Sequence, residues 1–366
     1  MQWRAGTVVG HVRRWRGAVE CTVALEGSPD GPVRALAYTA MVGEPAVGER
    51  VLLNASALLK GLGTGGLAFV VARPDDLPAD PPAGVGHIVK ARYTPMQQML
   101  LAVDEQDSAH HAELADADDL GGMPVVVADL HSALPAVLAG IRLVRPDATV
   151  AYVMTDGGAL PAAFSRAVAG LSDAGWLAAT VTVGQAFGGD HEAVTTHTGL
   201  LAARHVVGAD VVVVAQGPGN VGTGTRWGYS GVACAEALHA ADVLGGRSVA
   251  SLRVSGADLR ARHRGISHHS RTAYGRALLT PADLPVTTLP DADLDRLVRA
   301  QAADLVASAR TALTLVEVPA EGLLDALASS PVGLSTMGRG LDADPAPFLA
   351  AAAAGAHAAG LTPPRS

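Results

Sequence analysis

The chain has 366 residues, more than one hydrophobic core usually serves, so two domains are expected. Its 49% hydrophobic and 17% charged residues describe a compact globular sequence, which excludes global disorder, and no window stays apolar for long enough to cross a bilayer. A net charge of −8 argues against a nucleic-acid binder driven by bulk electrostatics.

The opening MQWRAGTVVGHVRRWRG carries Arg4, Arg13, Arg14 and Arg16 and no apolar core, so it does not read as a secretory signal. Cys21 and Cys234 sit far apart in apolar surroundings and read as reduced core residues of a cytoplasmic protein. From 5 to 72 the segments AGTVVGHVRR, GAVECTVALEG, VRALAYTA, VGERVLLNAS and GLAFVVAR alternate and are rich in β-branched residues, with GSPDGP and GEPAVGE as turns. This spacing predicts a small SH3-like or OB-like β-barrel over 1–73. PDDLPADPPAG (74–84) predicts an exposed linker, taken as 74–86. GHIVKARYTPMQQ, with His87, Lys90, Arg92, Tyr93 and Gln97, then reads as a strand and the start of a helix at the domain junction.

From about Met123 the rhythm becomes apolar run, Gly- or Asp-containing loop, helical segment. The runs are PVVVADLHS, TVAYVMTDGG, LAATVTVGQAFGGD, ADVVVVAQGPGN, RSVASLRVSGAD and LTLVEV. Between them LPAVLAGIRLV, LPAAFSRAVAGLSDAG and GVACAEALHAADVLGG have helical spacing. The expected fold is therefore α/β: a mostly parallel sheet with helices on both faces over 87–345, preceded by the small N-terminal β-barrel. DADLDRLVRAQAADLVASARTAL predicts a long amphipathic helix, and 346–366 an Ala-rich helix with a flexible tail.

In such a fold ligands bind beyond the carboxyl ends of the strands, where this sequence concentrates its glycines and polar residues. In QGPGNVGTGTRWGYSG the spacing Gly217-x-Gly219-x-x-Gly222 matches a dinucleotide fingerprint formally. The motif falls late in the domain, Pro218 occupies the tight turn, and the next strand ends in Val254-Ser255-Gly256 with no acid for a ribose. The loop better suits an oxyanion, held by Gly217, Gly219, Asn220, Gly222, Thr223, Thr225 and Arg226. RARHRGISHHSR adds Arg260, Arg262, His263, Arg264, His268, His269 and Arg271, donors suited to a phosphate or carboxylate, with His268 also a candidate proton carrier. The bland reading of that run is a solvated basic turn.

Acids and histidines at strand ends form a third group: Asp129, His131 and Ser132, then Asp156, then Asp190, His191 and Glu192. Their order resembles that of dinuclear metal hydrolases, but the Gly-Asp-x-x-Asp and Gly-His-x-His pieces are missing, so whether a metal binds stays open. Ser132 is a candidate ligand contact. It has no Gly-x-Ser-x-Gly elbow, and strand neighbours face opposite ways, so His131 is not taken as its base.

Together GLGTGG, GHIVKARYTPMQ, the LHS of Leu130–Ser132, TDGGALP, GQAFGGDHEAV, QGPGNVGTGT and RHRGISHHS resemble an uncharacterised bacterial family of unknown function over nearly the whole chain. The resemblance implies no activity, substrate or cofactor. In that family an apolar residue follows GGD where this chain has His191, which implies that His191 is a poor metal ligand.

The function expected from the residues is an enzyme, a hydrolase or transferase, acting on or binding a small anionic or phosphorylated molecule. Asp156, Asp190, Glu192 and His268 are its candidate catalytic groups. The alternatives are a non-catalytic binding or assembly module built on the barrel and its Arg13, Arg14 and Arg16, and a metal-dependent hydrolase. Neither a membrane nor a nucleic acid is expected as partner; homo-oligomerisation and the cofactor stay open.

Overall fold

The computed structural model describes residues 1–29, 31–63, 65–80, 84 and 86–362. Parts of the expected linker (81–83 and 85) and of the expected tail (363–366) lie outside the described residues, as do one position each of GSPDGP and GLGTGG. The chain forms two compact units, Met1–Leu101 with Ala163–Ala169, and Ala102–Ala162 with the chain from Gly170 onward.

In the first unit β1 (Trp3–Trp15), β2 (Ala18–Leu25) and β3 (Val33–Tyr38) are followed by a helical turn α1 (Thr39–Val42), β4 (Arg50–Asn54), a second turn α2 (Ser56–Leu59) and β5 (Ala68–Ala72). The five strands close into a barrel in the order β1-β2-β3-β5-β4. Closure needs a strongly bent first strand, and β1 has register irregularities at Val8/Gly10 and His11/Arg13 that supply it. Val8, Cys21, Val23, Ala35, Val51, Leu53 and Val70 fill the interior, and Cys21 is an unpaired core residue as its surroundings implied.

Beyond the barrel, β6 (Ile88–Lys90) and β7 (Gln98–Leu100) pair antiparallel. The helix start expected within GHIVKARYTPMQQ is thus corrected: its last residue, Gln98, opens a second strand. Gly86 permits the close approach beside this pair: at φ +107°, a Cβ there would lie within 2.8 Å of the Leu100 and Leu101 backbone.

The remaining elements follow in chain order: α3 (His111–Leu114), β8 (Pro124–Ala128), α4 (Leu134–Val144), β9 (Val150–Thr155), α5 (Arg166–Asp173), β10 (Ala179–Thr182), β11 (His191–Glu192), α6 (Thr196–Leu201) and β12 (Val211–Gln216). Then come α7 (Cys234–Val243), β13 (Arg247–Ala250), β14 (Val254–Ser255), β15 (Gly265–Ile266), α8 (His268–Thr272), β16 (Ala282–Thr287), α9 (Ala292–Ser308) and β17 (Leu313–Val318). The last are α10 (Leu323–Ala328), β18 (Ser335–Thr336), β19 (Arg339–Gly340) and α11 (Ala346–Gly360).

Eight strands of the second unit form one sheet, β11-β10-β9-β12-β8-β13-β16-β17, with every pairing parallel. PVVVA of β8 and VVVVAQ of β12 are buried at every position, as central strands covered on both faces must be. One of the eight, β16, escapes the periodicity of its sequence. Pro285 interrupts ADLPVT, and the strand tolerates it because β16 pairs with β13 only at Asp283 and takes its continuous ladder from β17.

The helices are placed by handedness. The connection from β8 through α4 to β9 runs one way along the sheet, and that from β12 through α7 to β13 runs the other way. Right-handed crossovers then set α4 and α7 on opposite faces. On its face α4 packs against α11 so closely that the backbones touch: a Cβ on Gly140 would collide with the Ala352 carbonyl, and one on Gly355 with the Val137 carbonyl. Small residues were chosen here for backbone approach, which explains the run of alanines in α11.

Candidate functional site

Because β8 and β12 are neighbours whose following helices leave to opposite faces, a crevice opens at their carboxyl ends. Register places Ala128 beside Ala215, so Asp129 is the first residue past β8 and Gln216 the last of β12, and the Gln216 side-chain amide donates to the Asp129 carbonyl at 2.8 Å. A cavity of about 360 Å³ lies at this end. Leu130–Ser132 after β8, Gln216–Asn220 with Gly222 and Gly224 after β12, Arg253 after β13, the Arg260–His269 segment and the β18–β19 turn line it.

The Arg260–His269 segment is shaped by a hairpin and a cap. β14 and β15 pair antiparallel and project the loop carrying Arg260, Arg262 and His263. Ser267 then caps α8, accepting the His269 backbone N–H at 3.2 Å, and its hydroxyl also meets His263 Nδ1 at 2.8 Å. One serine therefore orients two of the segment's three histidines. The rings crowd together, with centroids 4.9 Å apart for His263 and His268, 5.1 Å for His263 and His269, and 4.4 Å for His268 and His269.

Behind them lies a buried charge group. His269 Nδ1 is 3.0 Å from Arg253 Nη1 and 3.3 Å from the Asp129 carboxylate, and the Arg253–Asp129 pair itself spans 3.5 Å. Either tautomer of His269 has a partner: Nδ1–H donates to Asp129, and bare Nδ1 accepts from Arg253. Burial alone would raise the Asp129 carboxyl, but His269 and Arg253 outweigh it and hold it below the ordinary range. At the rim Arg260 makes a two-pronged contact with Asp258 at 2.9 and 2.8 Å, which fixes its guanidinium and keeps Asp258 strongly acidic. Arg262 is exposed, lies beside Gly224, and has no ion-pair partner among the described residues.

Burial, followed by the Arg253 and Arg260 charges, pushes the His263 imidazole down to about 3. Burial, then His269 and Arg262, takes His268 to about 4. Both rings are therefore neutral at pH 7, and His131, half-buried against Tyr152, is pushed down to about 4 for the same first reason.

Of the residues singled out in the sequence, Ser132, Gly217, Gly219, Asn220, Gly222, Arg262, His263, His268 and His269 line one cavity. Thr223, Thr225, Arg226 and Arg264 do not. The two threonine hydroxyls are 3.1 Å apart and tie the 223–228 turn to Gly228, while Arg226 and Arg264 are exposed. Asp156 accepts the Gln185 N–H at 2.9 Å, Asp190 the Thr180 N–H at 2.8 Å, and Glu192 the Gly188 N–H at 2.6 Å and the Thr182 hydroxyl at 2.7 Å. These carboxylates hold loops at the β9, β10 and β11 ends, and none lines the cavity. Gly217 serves loop packing, since a Cβ there would strike the Ala159 carbonyl.

The expectation that Ser132 and His131 point to opposite sides of a strand is corrected. His131–Ala133 form a 3₁₀ turn, and both residues face the cavity. They do not bond to each other: Ser132 donates to Thr336 Oγ1 at 3.0 Å, and His131 Nδ1 lies 3.0 Å from the Tyr152 hydroxyl.

Arg253 and the β18–β19 turn escaped the sequence reading. A charge inside SLRVSG was the available signal for Arg253. For the turn it was Met337-Gly338, whose φ values of +49° and +79° form a two-residue hairpin loop with Met337 lining the cavity. Among the described residues no helix is long and apolar enough to cross a membrane.

No curated protein and no solved structure is significantly similar to the chain. A family model described as "protein of unknown function (DUF3866)" matches residues 34–355, a span that takes in the last three barrel strands, the whole parallel sheet and every residue lining the cavity. The chain belongs to that family of unknown function, DUF3866.

Proposed function

We propose that the second unit binds a small anionic, phosphate-bearing molecule in the cavity at the β8–β12 crevice and acts on it as an enzyme. One observation carries this reading: the lining includes Arg253, Arg260 and Arg262 and, among the described residues, no carboxylate. Arg253 and Arg260 are balanced from outside the cavity by Asp129 and Asp258, whereas Arg262 is not. A ligand that brings negative charge completes this arrangement. The volume suits a small metabolite, and the crevice is where open parallel sheets take their ligands. Two buried, unpaired cysteines are in keeping with a cytoplasmic setting.

The barrel-module alternative has less support, because its basic patch is largely neutralised: Arg13 pairs with Glu20 at 3.0 Å and Arg14 with Glu44. Thermal-shift screening of the EDTA-treated full chain against inorganic phosphate, nucleotides and sugar phosphates tests the proposal. Stabilisation by a phosphorylated compound, lost in Arg262→Ala, supports it. No stabilisation by any anion, or stabilisation untouched by that substitution, overturns it.

A further inference from the structure

We propose that His263, His268 and His269 form a binding site for a divalent transition metal of zinc-like preference, with a coordination position left open toward the cavity. One ring nitrogen from each of the three lies within 4.8 Å of the other two. Zinc–imidazole bonds of about 2.0–2.1 Å place tetrahedral ligands roughly 3.4 Å apart, so small ring rotations close the set. Imidazole donors favour zinc and its late first-row neighbours over magnesium or calcium.

Three further features point the same way. His268 Nε2 is buried and has no hydrogen-bond partner among the described residues, an expensive arrangement that a metal bond relieves. His263 Nδ1 is engaged by Ser267, which leaves Nε2 as its free donor. His269 Nδ1 faces Asp129, so metal on Nε2 selects the tautomer that donates to the carboxylate, the outer-shell arrangement typical of metal-bound histidine. Ser267 and Asp129 thus aim two rings before any metal arrives, and the short α8 fixes the third.

The three donors come from one twelve-residue run but from different local structures: His263 from the β14–β15 loop, His268 and His269 from the first turn of α8. Three protein ligands with a fourth position on a cavity is the pattern of reactive rather than structural zinc. The metal site stands on the histidine geometry alone; only the anionic occupant of its open position rests on the function proposed above.

The test uses the intact, EDTA-stripped chain and metal alone. Equilibrium dialysis against zinc should give one ion per chain, and cobalt should produce the intense visible absorption of tetrahedral coordination. His263→Ala, His268→Ala and His269→Ala should each weaken zinc binding at least tenfold, while His197→Ala, an exposed histidine elsewhere, leaves it unchanged. Far-UV circular dichroism checks that the variants fold, and the cobalt spectrum of the unmodified chain decides if they do not. Absence of stoichiometric zinc and cobalt binding, or binding that survives all three substitutions, overturns the metal site. Phosphate binding in EDTA without any metal binding would overturn this inference and leave the anion reading standing, and metal binding without anion binding would do the reverse.

Discussion

Tyr229 lies flat on His269, with ring centroids 3.8 Å apart and planes 7° from parallel, and its hydroxyl donates at 2.7 Å to the carbonyl of that same residue. The tyrosine thus holds His269 by face and by backbone. Its position comes from the loop after β12, where Gly222 bridges to Tyr229 and a Cβ on Gly228 would collide with the Thr223 hydroxyl. The glycine-rich loop therefore shapes the histidine cluster even where it does not itself line the cavity.

Separating the two contacts gives a graded expectation. Tyr229→Phe keeps the stack and removes one of two hydrogen bonds to the His269 carbonyl, which still accepts the Ala273 N–H, so it should cost about 0.5–1.5 kcal/mol. Tyr229→Ala removes both and should cost about 3–5 kcal/mol. Urea unfolding measures each. Equal losses for the two variants would mean that the stack contributes nothing.

The α4–α11 contact reverses an ordinary rule. Replacing a helix-interior glycine by alanine usually gains about 1 kcal/mol. Gly140→Ala and Gly355→Ala should instead destabilise by about 2 kcal/mol or more, because each methyl meets a backbone carbonyl of the facing helix. A raised melting temperature in either variant would show that the helices do not approach as described.

Acid should weaken the fold through His131. In the folded chain this ring stays neutral down to about 4, against 6.5 for an ordinary imidazole. Between those values the unfolded chain binds the extra proton, so stability falls as pH drops from 6.5 toward 4 and is insensitive to this group above 6.5. The contribution to the slope is at most about 1.4 kcal/mol per pH unit. Denaturant midpoints for the parent and His131→Asn at pH 7.5, 6 and 5 should show a shallower decline in the variant; parallel declines would remove His131 as a cause.

Much of this was legible in the sequence. Continuous apolar runs gave away β8 and β12, alternation gave the barrel strands, and the density of Arg and His at 260–271 marked the segment that does line the cavity. What stayed hidden was adjacency. Asp156 and Glu192 sit at carboxyl strand ends like Asp129, whereas Asp190 precedes β11, and sequence order does not say that β12 inserts between β9 and β8 while β10 and β11 lie out at the sheet edge. Asp190 and Glu192 were thus expected at a site that their strands do not reach, and Asp156, beside β12, instead turns its carboxylate to the Gln185 N–H. β16 was hidden by Pro285, whose missing donor matters only in strands laddered on both sides. Arg253 was hidden among apolar neighbours, and its role is visible only once β13 is set beside β8.

The most direct test of the anion site is a crystal structure of the full chain grown with inorganic phosphate. The expected result is an anion in the cavity, within hydrogen-bond reach of Arg260 or Arg262 and of the backbone between Gly217 and Asn220. A structure in which the cavity holds no anion at saturating phosphate, or in which phosphate sits only on surface arginines elsewhere, would contradict it.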